Sequence, residues 1–277
     1  MSTPTNGNRC SEIIIAGFHR SGTSSAAQLL HEAGLFVGDD LIGALPYNPY
    51  GHYEDREVVR MHDQILRDNG LNWQVAEDFV PVIGEARWQA MERYVQRRRL
   101  ERPLWGFKDP RVCMFLPVWK HLMPDCKVLI TFRPVADCSH SLSRRHAREL
   151  FTASGPAAVH RRFFTIPDLA PRMWLAHNRA LIAFARRYPM DVLTVSFESL
   201  LRGLPLMRLI RNSWRAPLAE VPTFSAVDPL ATTPRGNRQP LADPRLVDEI
   251  DAVWEDLVEL ERETMTALDH LTTPVGA

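Results

Sequence analysis

A glycine loop follows the first apolar run of the chain: Ile13-Ile14-Ile15-Ala16 leads directly into Gly17-Phe18-His19-Arg20-Ser21-Gly22-Thr23-Ser24. The apolar run is short and rich in β-branched residues, which is typical of a central parallel strand. Apolar residues then recur at helical spacing from Ala26 to Ala33. The loop matches the phosphate-loop template G-x-x-x-x-G-K-[ST], except that Thr23 stands at the lysine position. This order of strand, loop and helix predicts an oxyanion site.

The loop can bind an anion without the missing lysine, because successive backbone N–H groups point out of a helix N-terminus. Arg20 supplies the positive charge. We expect six consecutive residues to hold a nucleotide: His19, Arg20, Ser21, Gly22, Thr23 and Ser24. A kinase or NTPase normally uses the template lysine together with Mg²⁺, so the threonine disfavours that chemistry. The competing interpretation is an ordinary strand-to-helix turn that exposes an arginine.

Apolar strands alternate with helical segments along the chain. Strands are expected at 104–107, 127–132 and 191–197, and helices at 112–122, at 135–150 and from Leu246 onward. Such alternation forms βαβ units with a parallel sheet, and ligands bind beyond the carboxyl ends of its strands. We therefore predict an α/β fold of three layers, in which helices flank a central, mainly parallel sheet.

A second polar motif closes the strand at 127–132. Arg133 follows that strand directly, with Asp137 four and Ser141 eight residues after the arginine. Pro134 suits the first turn of the next helix, Arg133 can bind a phosphate with two hydrogen bonds, and Ser141 adds a hydroxyl donor. Taken alone, the motif is equally well explained as a strand-to-helix turn with polar surface residues.

Together the two motifs resemble the sulfotransferases of bacterial type that use 3′-phosphoadenosine 5′-phosphosulfate (PAPS). In that family the 5′-phosphosulfate loop reads basic-Ser-Gly-Thr-[Ser/Thr], as 20–24 does here, and the 3′-phosphate motif has the spacing of Arg133, Asp137 and Ser141. The resemblance implies a P-loop-NTPase-like fold and PAPS as co-substrate, with no metal. It also implies weakly that Arg235, in a loop before the last helix, covers the 3′-phosphate.

The same resemblance directs attention to Lys108, at the end of a short strand, as a catalytic cation near the phosphosulfate. Cytosolic relatives carry a histidine base two residues later, where this chain has Pro110. Other relatives take the base from the region after the first helix, so we expect Glu54 to accept the proton, with His52 as the second candidate. Sequence alone leaves Asp55 and Asp39 open as well. Aromatic residues expected to line an acceptor pocket are Tyr47, Tyr50, Tyr53, Trp73, Trp88 and Trp105.

Composition narrows the class of protein. The 277 residues carry 33 basic and 33 acidic side chains, so there is no global field to hold nucleic acid or an anionic membrane. The four cysteines lack zinc or redox spacing and are expected to be buried thiols. No stretch reads as a membrane span or secretory signal, which predicts a cytoplasmic protein. Residues 1–10 are expected to be flexible and 11–277 to form one domain.

These observations predict an enzyme that transfers a sulfuryl group from PAPS to a hydroxyl of a small molecule, carbohydrate or natural product and releases the nucleotide PAP. The rival interpretations are a metal-dependent small-molecule kinase on the related phosphate-loop fold and a non-catalytic nucleotide-binding protein. The sequence leaves the acceptor and the formation of a homo-oligomer open.

Overall fold

A four-stranded, wholly parallel sheet lies at the centre of the computed structural model, which describes residues 9–43, 51–223, 226 and 240–272. Its strands, in chain order, are β1 (Glu12–Ala16), β2 (Trp105–Lys108), β3 (Lys127–Phe132) and β4 (Val192–Ser196). They lie side by side in the order β2-β1-β3-β4. The predicted α/β architecture is confirmed, and each predicted strand is present within one residue of its expected ends.

Ten α-helices are described around the sheet. They are α1 (Thr23–Glu32), α2 (Arg56–Asp68), α3 (Glu85–Glu101), α4 (Leu116–Leu122), α5 (Val135–Phe151), α6 (Ala157–Thr165), α7 (Leu169–Arg187), α8 (Phe197–Leu201), α9 (Leu206–Trp214) and α10 (Leu246–Thr272). None of these described helices combines the length and apolar character needed to cross a bilayer.

The helix predicted at 112–122 is wrong in one respect, because it is two elements. A 3₁₀ turn, Pro110–Met114, precedes α4. The Asp109 carboxylate accepts a hydrogen bond from the Arg111 backbone N–H and begins the turn. Pro117 then starts a fresh helix, since a proline has no N–H to continue the one before it.

Alternate residues of β1 enter different layers of the core. Ile14 and Ala16 contact the side that carries α2, α3, α4 and α7, whereas Ile13 and Ile15 contact the side that carries α1 and α9. Because neighbouring side chains of a strand point to opposite faces, a strand covered on both sides must be apolar throughout. The run of isoleucines therefore fixes a three-layer arrangement.

Helix α10 covers the β4 edge of the sheet. The Thr264 hydroxyl accepts from the Thr194 backbone N–H at 3.0 Å, and the Glu261 carboxylate accepts from the Ser196 N–H at 2.6 Å. These bonds satisfy donors of a strand with no described neighbour on that side. The helix predicted from Leu246 is thus present and packs against the sheet, as expected of a flanking helix.

The strand order places a ligand crevice at one point of the sheet. From β1 the chain crosses to β2 on one side, and β3 and β4 lie on the other. The loops after β1 and β3 therefore meet at the carboxyl ends of two adjacent strands, at the point where the strand order reverses direction. Open α/β sheets bind their ligands at such a point. Both predicted anion motifs begin there.

Candidate active site

The loop after β1 is shaped by two glycines that have no room for a side chain. A Cβ atom on Gly17 would lie 2.3 Å from the Thr131 carbonyl oxygen of β3, and one on Gly22 would lie 2.3 Å from the Phe197 ring. Gly22 also has a φ of 91°, and Arg20 takes a φ of 69°, which is uncommon for a residue with a side chain. The loop is therefore pressed against the ends of β3 and β4 in a constrained turn.

Arg20 connects the two predicted anion motifs. Its Nε–H donates a 2.8 Å hydrogen bond to the hydroxyl oxygen of Ser141, which lies on α5. Ser21 is buried, and its hydroxyl donates at 2.6 Å to the Phe18 carbonyl, closing the turn from within. Two stretches 121 positions apart thus form one polar site at the sheet edge.

Arg133, the first residue of the second motif, is buried at the same edge. Its Nε–H donates at 3.2 Å to Asp137, so the acid four residues later orients the guanidinium. That guanidinium lies over the ring of Phe197, 5.0 Å from its centre. Phe197 therefore contacts both Gly22 of the first motif and Arg133 of the second.

Phe197 was not among the residues predicted to form the site. The available signal was its position at the end of the strand predicted at 191–197, because residues at the carboxyl end of β4 must lie beside those that follow β3. The contacts of the Phe197 ring with Gly22 and Arg133 depend on tertiary packing, so they could not be predicted from the sequence.

Lys108 and Glu54 form a buried ion pair beside this site. The Lys108 ammonium donates to Glu54 Oε1 at 2.7 Å, and its side chain is only 1% exposed. His52 lies on the other side of the carboxylate, with Nδ1 3.7 Å from the same oxygen. The structure thus brings together the three residues predicted to be catalytic besides Arg20.

The Glu54 carboxylate is held ionised. Burial alone raises its pKa, but the Lys108 ammonium and the nearby His52 imidazole, with a smaller contribution from Arg111, lower it from 4.5 to about 2. An ionised group of this kind can accept a proton, although a low pKa makes it a weak base in isolation.

The neighbouring acids are used in other ways. Asp55 caps α2 by accepting from the Glu57 backbone N–H, and it also binds the Arg98 guanidinium and the Tyr94 hydroxyl. Asp39 is exposed and pairs with the same Arg98 at 2.5 Å. Glu54 is therefore the acid among the three that reaches the polar site.

A buried chain of hydrogen bonds supports the end of β2. The Trp119 indole N–H donates to His62 Nε2 at 2.8 Å, so the proton of this neutral imidazole lies on Nδ1 and is donated to Asp109 at 2.7 Å. Asp109 also accepts from Arg111 at 2.8 Å. His62 is thus a core histidine with both ring nitrogens hydrogen-bonded, and this chain of hydrogen bonds fixes Asp109, the residue next to Lys108.

A cavity of about 710 Å³ opens beside Glu54. Its wall includes His52, His19 and Trp73, whose ring lies 4.8 Å from that of His19. Burial, followed by the nearby His177 and Arg111, holds the pKa of His19 well below its usual range, so this ring is neutral. Ile42 and Arg111 also line the cavity, and the rest of its wall comes from α5, α6 and the turn between them.

Of the aromatic residues expected around an acceptor, Trp73 lines this cavity, whereas the prediction is wrong for Trp105, which is buried in the core. Trp88 instead donates to Glu92 on its own helix. Tyr47, Tyr50 and the loop with Arg235 lie outside the described residues, as does most of the N-terminal segment predicted to be flexible. All four cysteines are buried and free, as expected.

Comparisons with known proteins agree with this architecture. No protein-family model matches the chain, and no curated protein matches its sequence. The structure is similar to that of sulfotransferase STF9 from Mycobacterium avium, with a TM-score of 0.56 at 15% identity over 91% of this chain and 76% of that one. The chain has a sulfotransferase fold. The similarity predicted from the two motifs is thereby confirmed at the level of the fold.

Two further solved structures match with lower scores. The sulfotransferase domain from the curacin biosynthetic pathway has a TM-score of 0.49 at 13% identity, over 91% of this chain and 99% of that one. Sulfotransferase STF1 from Mycobacterium tuberculosis H37Rv has a TM-score of 0.46 at 16% identity, over 92% of this chain and 78% of that one.

Proposed function

We propose that this protein is a PAPS-dependent sulfotransferase that transfers a sulfuryl group to a hydroxyl of a small molecule, carbohydrate or natural product and releases PAP. The observation that carries the proposal is the hydrogen bond from Arg20 to Ser141 at the carboxyl edge of β1 and β3. It joins two anion-binding motifs in one site. A nucleotide that carries phosphates at both the 3′ and the 5′ position of its ribose requires such a site.

The donor set fits such a nucleotide. The loop at 17–22 offers backbone N–H groups at the N-terminus of α1, and Arg20 adds a cation. Arg133 and Ser141 supply a guanidinium and a hydroxyl for the second phosphate, with Asp137 orienting the guanidinium. When bound, PAPS supplies the activated sulfuryl group.

The residues around Glu54 can perform an in-line displacement at sulfur. The acceptor oxygen forms a bond to sulfur while the bond from sulfur to the 5′-phosphate oxygen breaks, and Glu54 takes the acceptor proton. Arg20 and Lys108 stabilise the negative charge that develops on the departing phosphate oxygen. Positioning and electrostatics therefore account for catalysis, and we expect no metal to take part in the transfer.

Glu54 is a sufficient base for this reaction despite its low pKa. The acceptor hydroxyl becomes acidic as its oxygen bonds to sulfur, so the proton leaves late and needs only a nearby anion. His52, 3.7 Å from that carboxylate, remains the second candidate and would act with Glu54 as its orienting partner.

The cavity beside Glu54 suits a small acceptor. Its volume of about 710 Å³ falls in the range of about 300–1,000 Å³ for small-molecule sites. Its wall combines the indole of Trp73 with imidazole and guanidinium groups, which favours an acceptor that has both a ring and polar substituents.

The kinase alternative is disfavoured by two features. Thr23 occupies the position of the phosphate-binding lysine. The acid at the end of β2, Asp109, has both oxygens engaged by Arg111 and His62 and is fully buried, so it is not available to Mg²⁺. A non-catalytic nucleotide-binding protein would retain the loop, but it would have no need of the buried pair of Lys108 and Glu54.

Two measurements test the proposal. Calorimetry with PAP should detect one tight site per chain, and ³⁵S-labelled PAPS should transfer its label to a panel of hydroxyl acceptors in buffer without Mg²⁺. Phosphoryl transfer from ATP that requires Mg²⁺ would instead establish the kinase. PAP binding without transfer to any acceptor would favour the non-catalytic alternative.

A further inference from the structure

Two histidines and a glutamate meet in the wall of the cavity that Glu54 also lines. His146 and Glu149 lie one turn apart on α5, and His160 lies on α6. The two histidines are 1% and 5% exposed, and all three residues line the cavity. The proposed sulfuryl transfer uses none of them.

The protons of this cluster can be traced from its contacts. His160 Nε2 lies 2.9 Å from the Ser154 carbonyl and 3.0 Å from the Glu149 carboxylate, so it carries a proton that it donates to these oxygens. Its Nδ1 then presents a lone pair to Nδ1 of His146, 2.8 Å away. A single proton, donated by His146, lies between the two imidazoles.

This hydrogen-bonded arrangement leaves one atom unsatisfied. Nε2 of His146 is buried and has no hydrogen-bond partner among the described residues. A buried polar atom without a partner is costly, and its presence in a native site calls for a reason. The ring cannot easily turn to relieve it, because it stacks between Phe163 at 4.2 Å and Trp73 at 5.7 Å.

We propose that His146, Glu149 and His160 bind a divalent transition-metal cation, for which zinc is the best match. One donor atom of each residue lies within 4.8 Å of those of the other two. Two imidazoles and one carboxylate are a ligand set that zinc prefers, and three protein ligands leave its fourth position open. The open position would take water or an oxygen of a molecule in the cavity.

The adjustment that a cation requires is small. Tetrahedral zinc ligands at about 2.1 Å lie about 3.4 Å apart, and the three donor atoms of this cluster lie within 4.8 Å of one another, so the longest of these separations must close by at most about 1.4 Å. His160 would give the cation one of its two nitrogens, in place of the hydrogen bond that this nitrogen now makes to His146 or to Glu149. Glu149 also accepts from Arg145 at 3.2 Å and would exchange part of that contact for the cation.

The site is separate from the proposed function, which needs no metal. Bound zinc would join α6 to α5 and shape one wall of the cavity, while the nucleotide motifs at the sheet edge would be unaffected. PAP binding can therefore succeed or fail independently of metal binding.

Titration of the full-length, chelator-treated and desalted protein with Zn²⁺ tests the site. We expect one equivalent to bind, with a rise in the midpoint of thermal unfolding, because a ligand of the folded state stabilises it. Co²⁺ should give visible bands of a nitrogen and oxygen site and no thiolate charge-transfer band, since all four cysteines are buried elsewhere. A thiolate band, or the absence of any stoichiometric binding, would overturn the proposal.

Variants locate the binding. His146→Phe keeps the stacked ring and Glu149→Gln keeps the side-chain shape, and each should weaken Zn²⁺ binding by at least about 100-fold, since even outer-shell changes cost 10- to 100-fold. His121→Ala removes an exposed histidine of α4 and should bind like the wild type. If Glu149→Gln folds normally by circular dichroism and retains wild-type affinity, the assignment is wrong.

Discussion

Arg20 and Ser141 share a 2.8 Å hydrogen bond although they belong to different motifs of the sequence. One follows β1 and the other lies on the helix after β3, and the two strands are neighbours in the sheet. The contact makes a single polar site out of two signals, each of which had an ordinary structural explanation when read alone.

Replacement of Arg20 tests the catalytic half of that contact. Arg20→Ala should lower the rate of sulfuryl transfer by about 100- to 1,000-fold, because a donor aimed at developing charge contributes about that much. Arg144→Ala, which removes an exposed cation from α5, serves as the matched control and should keep the wild-type rate. Transfer of ³⁵S label at saturating PAPS measures both, and an unimpaired Arg20→Ala enzyme would remove Arg20 from the mechanism.

Replacement of Arg133 should act on nucleotide affinity. If Arg133 binds the second phosphate as proposed, the loss of one charge-assisted hydrogen bond in Arg133→Ala, worth about 1.5–3 kcal/mol, should weaken PAP binding about 10- to 100-fold. Calorimetry measures the effect directly. Wild-type affinity for PAP in this variant would refute the assignment of Arg133, and the Arg144→Ala control excludes a general loss of charge as the cause.

Replacement of Glu54 by glutamine, which removes its negative charge, tests its proposed role as the general base. Glu54→Gln should retain PAP binding and lose transfer by about 100- to 10,000-fold, the usual contribution of a general base. Glu57→Gln changes the same residue type three residues later, where Glu57 pairs with Arg97, and should be active. A fully active Glu54→Gln together with an inactive His52→Gln would transfer the role of base to His52.

Stability in acid should report the same carboxylate. Its pKa is lowered on folding from 4.5 to about 2, so its ionised form stabilises the folded protein above pH 4.5, and that contribution is lost as the pH falls toward 2. The difference in unfolding free energy between wild type and Glu54→Gln should therefore shrink over this interval. Urea titrations at several pH values measure it, and a difference independent of pH would contradict the depressed pKa.

The glycine loop makes a prediction about stability. Gly22→Ala forces a Cβ atom to 2.3 Å from the Phe197 ring and strains a φ of 91°, so it should cost about 2–5 kcal/mol of unfolding free energy. Gly34→Ala shares the positive φ, at 106°, but meets no atom within 4 Å, and should cost only about 1–2 kcal/mol. Equal losses in the two variants would show that the contact with Phe197 is unimportant.

Much of this fold was readable because its strands are short, apolar and bounded by glycine, proline or charge. The isoleucines at 13–15 and the run at 127–132 are short, apolar and rich in β-branched residues, so they predicted strands. Helices α2, α3 and α6 to α9 were not predicted, because their apolar residues pack against elements that are distant in the sequence. The break at Pro117 required knowing that Asp109 starts a separate turn.

The candidate site was predicted in its parts and not in its connections. Loop geometry and residue type predicted Arg20 and Arg133, because phosphate binding demands such groups at strand ends, whereas Lys108 and Glu54 were predicted from the resemblance to sulfotransferases. The bond between Lys108 and Glu54, the ring of Phe197 and the cluster around His146 depend on contacts between distant segments. Sequence spacing does not encode those contacts.

The buried ion pair of Lys108 and Glu54 has a consequence for timing. One ammonium group cannot fully neutralise two anions, so a phosphosulfate that arrives beside Lys108 would draw part of its charge away from the carboxylate. Glu54 would then become more basic at the moment when the sulfuryl group is in reach. An acceptor that enters first would meet a carboxylate whose basicity is lowered by Lys108. The acceptor hydroxyl would therefore be deprotonated only after the donor has bound.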